Sequence, residues 1–191
     1  MQLGASRETP ASTEESRMIA PARHLRLLGK AEHRGEAEGL IAGLGEAVIV
    51  ERGRPRSIVM RCPDGCGQVL VVNLDGRAGK AWELDLRKEG PTLYPSVWRE
   101  GGCGSHFLVW RGRILWCDRF MEGNSEPEPD PQLEMRVHAK LDPTISRSAF
   151  DLAAELDELV WDVDRALKAL ARKGFAVDFK GASGWTYRAK L

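Results

Sequence analysis

Between residues 45 and 120 the apolar residues occur in short runs separated by glycine, proline and aspartate, a pattern typical of strands. Apolar positions before this region predict one short helix over residues 35–44, which ends at glycines. Thr92–Trp98 contains Pro95, which predicts an edge strand or a bend. The region is thus predicted to be mostly antiparallel, with strands at residues 47–50, 57–60, 68–74, 81–86, 92–98, 106–110 and 113–117.

The pattern becomes helical near the C-terminus. Apolar residues recur at spacings of four and three within residues 158–173, at Leu159, Val163, Leu167 and Leu170. A shorter helix is predicted over residues 148–156, and two strands around a turn at residues 175–179 and 185–188. Helix, helix and hairpin is the outline of a winged helix, whose first helix would have to lie near residues 136–145, where the pattern is weak.

Composition divides the chain into four segments. Residues 1–21 are rich in Ser, Thr, Glu and Pro and are predicted to be disordered. Residues 122–134 form an acidic, proline-rich linker between a zinc-binding β domain at 22–121 and a C-terminal module at 135–191. We therefore predict an α+β protein, in which a small antiparallel β domain with a zinc-ribbon-like cysteine site precedes a winged-helix-like module.

Net charge and hydropathy narrow the function classes. The chain has 28 basic and 28 acidic residues, so bulk charge does not favour binding to nucleic acid. It contains no apolar run of the about 20 residues that cross a membrane, and its start lacks the apolar core of a signal peptide. We expect a cytoplasmic protein, in a compartment where clustered cysteines bind metal or react rather than form disulfides.

All four cysteines lie between residues 62 and 117, which predicts one shared site. Cys62 and Cys66 have the spacing of a zinc-ligand pair and stand in a glycine-containing turn at the predicted tip of a hairpin. The second pair of ligands for Zn²⁺ must come from Cys103, His106 and Cys117. We favour the four cysteines as ligands, with His106 as the alternative fourth ligand.

The register of the hairpin at residues 106–117 makes two of these candidates neighbours. If Arg111-Gly112 is a two-residue turn, Phe107 faces Trp116 and His106 faces Cys117, with Cβ atoms about 5 Å apart. Five candidate ligands then compete for four positions. The competing interpretation is that the cysteines are small buried apolar residues.

The same register allows catalytic chemistry. His106 and Cys117 could form a nucleophile–base pair. Ser105 is a second candidate nucleophile, but neighbouring residues on a strand point to opposite faces, which disfavours a Ser105–His106 dyad unless Ser105 lies in a turn. A four-thiolate zinc site is closed, so any function would come from its surroundings.

Several short motifs in the β region occur together, namely Gly53–Ser57, Cys62–Gly67, Val72–Asp75, Leu93–Arg99, Gly102–Phe107 and Trp110–Cys117. Over about residues 45–120 this combination resembles a bacterial family of unknown function. Its members are encoded beside ubiquitin-like modifiers, ThiF-type activating enzymes, conjugating-enzyme homologues and metallopeptidases. The resemblance implies a ubiquitin-like conjugation pathway with an antiphage role, and a family pattern that keeps Cys62, Cys66, Cys103, Ser105, His106 and Cys117.

Together these observations predict a zinc-stabilised component of that pathway, which binds the modifier or its enzymes. A surface of tryptophan and arginine residues near His106 would receive an extended peptide tail. One alternative is a peptidase or hydrolase that processes the modifier with His106 and either Ser105 or Cys117. Another is a zinc ribbon that binds nucleic acid, because arginines alternate with Trp82, Trp98, Trp110 and Trp116. The sequence leaves open whether the protein is an enzyme.

Overall fold

The computed structural model describes residues 20–120, 122–181 and 184–190. The predicted disordered segment, apart from its last two residues, lies outside the described residues. In the described part of the chain, no helix combines the length and apolar character needed to traverse a bilayer. The fold is α+β, as predicted, with three sheets and four helices in the described residues.

The first sheet has the strand order β1-β2-β3-β4. Its elements are β1 (Arg26–Ala31), α1 (Arg34–Leu40), β2 (Glu46–Glu51), β3 (Pro55–Arg61) and β4 (Val69–Asn73). The β3–β4 hairpin holds the Cys62–Gly67 turn at its tip, as predicted. The sequence did not predict β1, which pairs with β2 in parallel through α1. Its side chains alternate between exposed and partly buried, and Gly29 interrupts its apolar pattern.

The second sheet is antiparallel, with the order β5-β6-β7-β8. A single 3-10 turn at Gly76–Ala78 leads into β5 (Glu83–Arg87), β6 (Gly90–Trp98), β7 (His106–Trp110) and β8 (Arg113–Trp116). Apolar residues of both sheets pack into one core, whose fully buried members include Ile58, Met60, Leu93, Phe107 and Val109. Burial of this apolar surface drives the association of the sheets.

Strand β6 decides between the two alternatives predicted around Pro95, an edge strand and a bend, in favour of the bend. It lies inside its sheet, between β5 and β7, and its register shifts between Leu93 and Val97. In this interval β6 therefore has two more residues than β7, and the excess forms a bulge that contains Pro95 and Ser96. Proline is tolerated there because the ladder of hydrogen bonds is already interrupted.

The C-terminal region contains α2 (Pro131–Ala139), β9 (Arg147–Ser148), α3 (Ala149–Leu156), α4 (Val160–Arg172), β10 (Ala176–Gly181) and β11 (Gly184–Ala189). Its strands form a sheet with the order β10-β11-β9. Helix α2 begins inside the predicted linker because Asp130 caps its first turn and Pro131 occupies the position where proline is favoured. The two later helices and the final hairpin agree with the predicted order, and the assignment to the winged helices stays a prediction.

The C-terminal region packs on the outer face of the second sheet, the face turned away from the core between the two sheets. Leu108, Leu115 and Trp161 form a small buried cluster at this interface. The indole N–H of Trp110 donates to Asp162 at 2.8 Å, and the Trp110 and Trp161 ring centroids are 5.6 Å apart. These contacts place α4 on the outer face of the second sheet, beside the C-terminal half of β6 and the start of β7.

Candidate active site and cysteine centre

The β7–β8 hairpin separates two groups of polar residues. Its register pairs Phe107 with Trp116, as predicted, and the Cys117 amide donates to the His106 carbonyl at 3.0 Å. Phe107 and Trp116 belong to the core between the two sheets. Because side chains alternate along a strand, His106 and Cys117 lie on the opposite, outer face.

The inner group is a cysteine centre. The sulfur atoms of Cys62 and Cys103 are 3.7 Å apart, and the Ser105 hydroxyl lies 3.3 Å from the first and 3.0 Å from the second. Cys62 and Ser105 have no exposed surface. Candidate ligand atoms of Cys62, Asp64, Cys66 and Cys103 all lie within 4.8 Å of one another. The structure thus brings together three of the four predicted cysteines.

The turn at the tip of the β3–β4 hairpin holds this arrangement. An oxygen of Asp64 accepts from the Cys66 amide at 2.9 Å, which closes an Asx turn. Gly65 has a φ of 90° and therefore favours glycine. The other Asp64 oxygen accepts from Arg119 at 2.9 Å, so the turn is tied to the segment that follows β8.

The thiols and the carboxylate influence one another. Burial, followed by the hydrogen bond to Asp64, raises the pKa of Cys62. Burial opposes ionisation of Cys103 as well, but hydrogen bonds from the Ser105 side chain and backbone and from Cys66 together outweigh it and lower the pKa of this thiol. Burial likewise acts against the charge of Asp64, and hydrogen bonds from Cys62 and Cys66 nevertheless hold the pKa of the carboxyl well below its usual range.

The donor set fits a thiolate-binding metal. Sulfur ligands about 2.3 Å from a tetrahedral zinc ion lie about 3.8 Å from each other, which matches the 3.7 Å between Cys62 and Cys103. Three sulfur donors and one carboxylate favour zinc over the oxygen-seeking cations. Cys117 and His106, the two residues weighed as the fourth ligand, lie outside this group because they face away from the core, whereas Asp64 lies within it.

The outer group is a serine, a histidine and an aspartate. His106 Nε2 lies 3.1 Å from the Ser96 hydroxyl, and His106 Nδ1 lies 3.4 Å from a carboxylate oxygen of Asp118. The Trp98 ring stacks on the imidazole, with centroids 5.5 Å apart and planes inclined by 30°. The side chains of His106 and Asp118 are 26% and 52% exposed, so a substrate can reach them.

Three neighbouring segments position this group. Trp98 pairs with His106 across β6 and β7, so Ser96, two residues earlier, can reach the same face. The indole N–H of Trp82 donates to the Ser96 carbonyl at 3.2 Å and holds the bulge of β6 in place. Asp118 directly precedes Arg119, whose ion pair with Asp64 anchors the chain after β8.

The arrangement of Asp118, His106 and Ser96 can activate the serine hydroxyl. A carboxylate near Nδ1 favours the tautomer in which Nε2 is free to accept a proton, and the Ser96 hydroxyl lies within hydrogen-bonding distance of Nε2. The same relation of serine, histidine and aspartate recurs in hydrolases with unrelated folds. The site is therefore suited to acyl transfer with Ser96 as nucleophile.

Sequence reasoning identified His106 but missed both of its partners. Ser96 stands in the Leu93–Arg99 motif, and Asp118 directly follows Cys117. Pairing of β6 with β7 would have revealed Ser96, but an irregular connection at residues 99–105 separates the strands. The candidate Ser105 is instead enclosed between two thiols.

Comparison with known proteins gives a family match over part of the chain. Residues 36–117 match the family described as "Bacterial ubiquitination-like system serine protease (BubE)". The match covers less than half of the chain, includes Ser96, His106 and all four cysteines, and ends one residue before Asp118. It confirms the resemblance to a family of bacterial ubiquitin-like conjugation operons. No curated protein and no solved structure gives a significant match.

Proposed function

We propose that the chain is a serine peptidase acting in a bacterial ubiquitin-like conjugation system, with Ser96 as its nucleophile. The observation that carries this proposal is the 3.1 Å contact between the Ser96 hydroxyl and His106 Nε2, with Asp118 on the other ring nitrogen. The name of the matched family, a serine protease, supports the same chemistry. The proposal favours the processing of a modifier over the binding role expected from the sequence.

In the proposed reaction, Ser96 Oγ attacks the carbonyl carbon of the scissile bond while His106 Nε2 takes the hydroxyl proton. His106 then returns this proton to the departing amine, and an acyl-enzyme ester remains on Ser96. Water, activated by the same nitrogen, hydrolyses the ester and regenerates the serine. Asp118 orients the ring and stabilises the imidazolium that forms in both steps.

The other two candidate nucleophiles fit this chemistry less well. Ser105 has no exposed surface, and its hydroxyl is hydrogen-bonded to the thiols of Cys62 and Cys103. Cys117 lies on the correct face, but desolvation of its thiol and then the charge of Asp118 raise its pKa. A thiol with a raised pKa stays protonated at neutral pH and is a weak nucleophile.

We further propose that Cys62, Cys66, Cys103 and Asp64 hold a structural Zn²⁺. Asp64 takes the place that the sequence had assigned to Cys117 or, alternatively, to His106. A metal bound there would cross-link the tip of the β3–β4 hairpin to the segment before β7. Its role would be to fix the second sheet, and thereby His106, rather than to contact the substrate.

The proposed substrate is a protein of the conjugation system, most simply the extended tail of the ubiquitin-like modifier. Extended peptide can reach the site because Trp98, beside His106, is 58% exposed and leaves the outer face of the sheet accessible. Cleavage of such a tail would mature a precursor or release a conjugate.

A fluorophosphonate probe tests the proposal without knowledge of the substrate, because it reacts with activated serine hydroxyls. We expect the full chain to be labelled at Ser96, as located by mass spectrometry, and the Ser96→Ala and His106→Ala variants to lose labelling. Ser125→Ala, at an exposed serine outside the site, is the matched control and should label normally. Labelling at Ser105, or none at all in the wild-type chain, would contradict the proposal.

A further inference from the structure

A groove opens at Ser96 between the β region and the C-terminal region. Its volume is about 260 Å³. One side is formed by the outer face of the second sheet, with Leu108 and Leu115, and the other by helix α4, with Trp161, Asp164 and Lys168. The proposed nucleophile therefore lies in a cleft to which the C-terminal region contributes a wall.

The cleft continues along α4. A second, larger groove of about 810 Å³ shares Trp161, Asp164 and Lys168 with the first and extends to Arg172 and to Tyr187 on β11. These positions of α4 recur at spacings of three and four, so they form one stripe along the helix. The stripe from residue 161 to residue 172 is about 17 Å long, which equals about five residues of extended peptide.

Helix α4 is held against the sheet beside the site. Asp162 accepts from the Trp110 indole at 2.8 Å and from Arg111 at 3.2 Å, while the Trp161 ring packs on Trp110. On the groove side, Asp164 is buried and accepts from Lys168 at 2.7 Å. The wall is thus a fixed surface with defined charges.

We propose that the C-terminal region is the specificity element of the peptidase, and that α4 binds the extended peptide segment beside the scissile bond. This inference rests on the proposed function of Ser96. The larger groove is lined by three acidic and three basic side chains, so it fits a segment of mixed polarity: Glu126, Asp164, Asp178, Arg165, Lys168 and Arg172. Lys168 lines both grooves and is a specificity-determining residue.

Charge reversal at Lys168 tests the inference. The wild-type chain and the Lys168→Glu variant are each incubated with a diverse synthetic peptide library, and the cleavage sites are read by mass spectrometry. Lys168→Glu changes the charge of the cleft by two units, so it should favour basic residues and disfavour acidic residues near the cleavage site, each by about two- to fivefold, the range of exposed ion pairs. Lys190→Glu makes the same change at an exposed lysine outside both grooves and should leave the preferences unchanged.

Fluorophosphonate labelling separates this inference from the function on which it rests. The Lys190→Glu control should label at the wild-type rate, and labelling of Lys168→Glu at Ser96 shows that this variant is folded and keeps a reactive serine. Unchanged peptide preferences in a Lys168→Glu variant that is labelled at Ser96 would overturn the inference and leave the serine chemistry intact. Equal shifts in both variants would also overturn it, since the effect would then arise from net charge rather than from the cleft. Failure of the wild-type chain to label would refute the proposed function itself.

Discussion

The two faces of the second sheet place similar residues in different environments. On the inner face, Ser105 lies between the thiols of Cys62 and Cys103 and has no exposed surface. On the outer face, Ser96 meets His106 at 3.1 Å beside a groove. The inner serine is a hydrogen-bonding partner of thiols, whereas the outer one is a hydrogen-bonding partner of an imidazole, so the environment rather than the residue type decides what each hydroxyl can do.

The contrast also explains why sequence neighbours belong to different sites. Ser105 and His106 are adjacent, and strand alternation directs them to opposite sides of one sheet. The two sites remain linked mechanically, because Arg119 binds Asp64 of the inner site and directly follows Asp118 of the outer one. A change at the cysteine centre can therefore displace Asp118 from His106.

The largest predicted difference between the faces concerns stability. Cys62→Ser removes a buried sulfur donor, so we expect loss of bound zinc and a decrease in the free energy of unfolding on the order of 3 kcal/mol. Cys117→Ser changes a thiol on the outer face and should keep the metal, with an effect within about 0.5 kcal/mol. Urea denaturation and elemental analysis of both variants measure the difference.

A chelator provides the matching control without mutation, since it should destabilise the wild-type protein and Cys117→Ser equally. Wild-type protein purified without any metal would contradict the assignment of the cysteine centre. Loss of metal in Cys117→Ser would restore Cys117 as the fourth ligand.

The next effect concerns catalysis on the outer face. Asp118→Asn replaces an acceptor for His106 Nδ1 with a group that can donate to it, which favours the wrong tautomer. Because Asp118 is half-exposed and 3.4 Å away, we expect kcat/KM for peptide hydrolysis to fall about 10- to 100-fold, less than the about 10⁴-fold loss on kcat in a buried triad. Urea denaturation should show unchanged stability, and activity equal to wild type would remove Asp118 from the mechanism.

Much of the fold was predictable because it depends on local patterns. The Arg111-Gly112 turn has positive φ at both residues, the conformation that a two-residue hairpin favours, and it fixes the register of β7 and β8. The two C-terminal helices follow from apolar spacing and from the capping box of Ser148 and Asp151. Strand β1 escaped prediction because it pairs in parallel through a crossover, which leaves no local turn signal.

The candidate site was predictable only where contacts run within one hairpin. The His106–Cys117 neighbourhood followed from the register of β7 and β8. The Ser96–His106 contact did not, because the bulge in β6 shifts the register by an amount that no turn residue specifies. The separation of the cysteines was not predictable for another reason, since which face of the second sheet becomes the core depends on how the first sheet packs against it.

The smallest predicted effect concerns the pH dependence of the free energy of unfolding, to which the Asp64 carboxylate of the inner face contributes. Hydrogen bonds from Cys62 and Cys66 hold the pKa of Asp64 low in the folded protein despite burial. A carboxyl with a depressed folded-state pKa stabilises the fold above its ordinary pKa of about 4, and this contribution is lost as the pH falls towards the lower value. In metal-free protein, the free energy of unfolding of Asp64→Asn should therefore decrease less steeply below about pH 4 than that of wild type. Urea titrations across this range measure the slopes, with Cys117→Ser as the control, and equal slopes for wild type and Asp64→Asn would show that these hydrogen bonds do not stabilise the charged carboxylate.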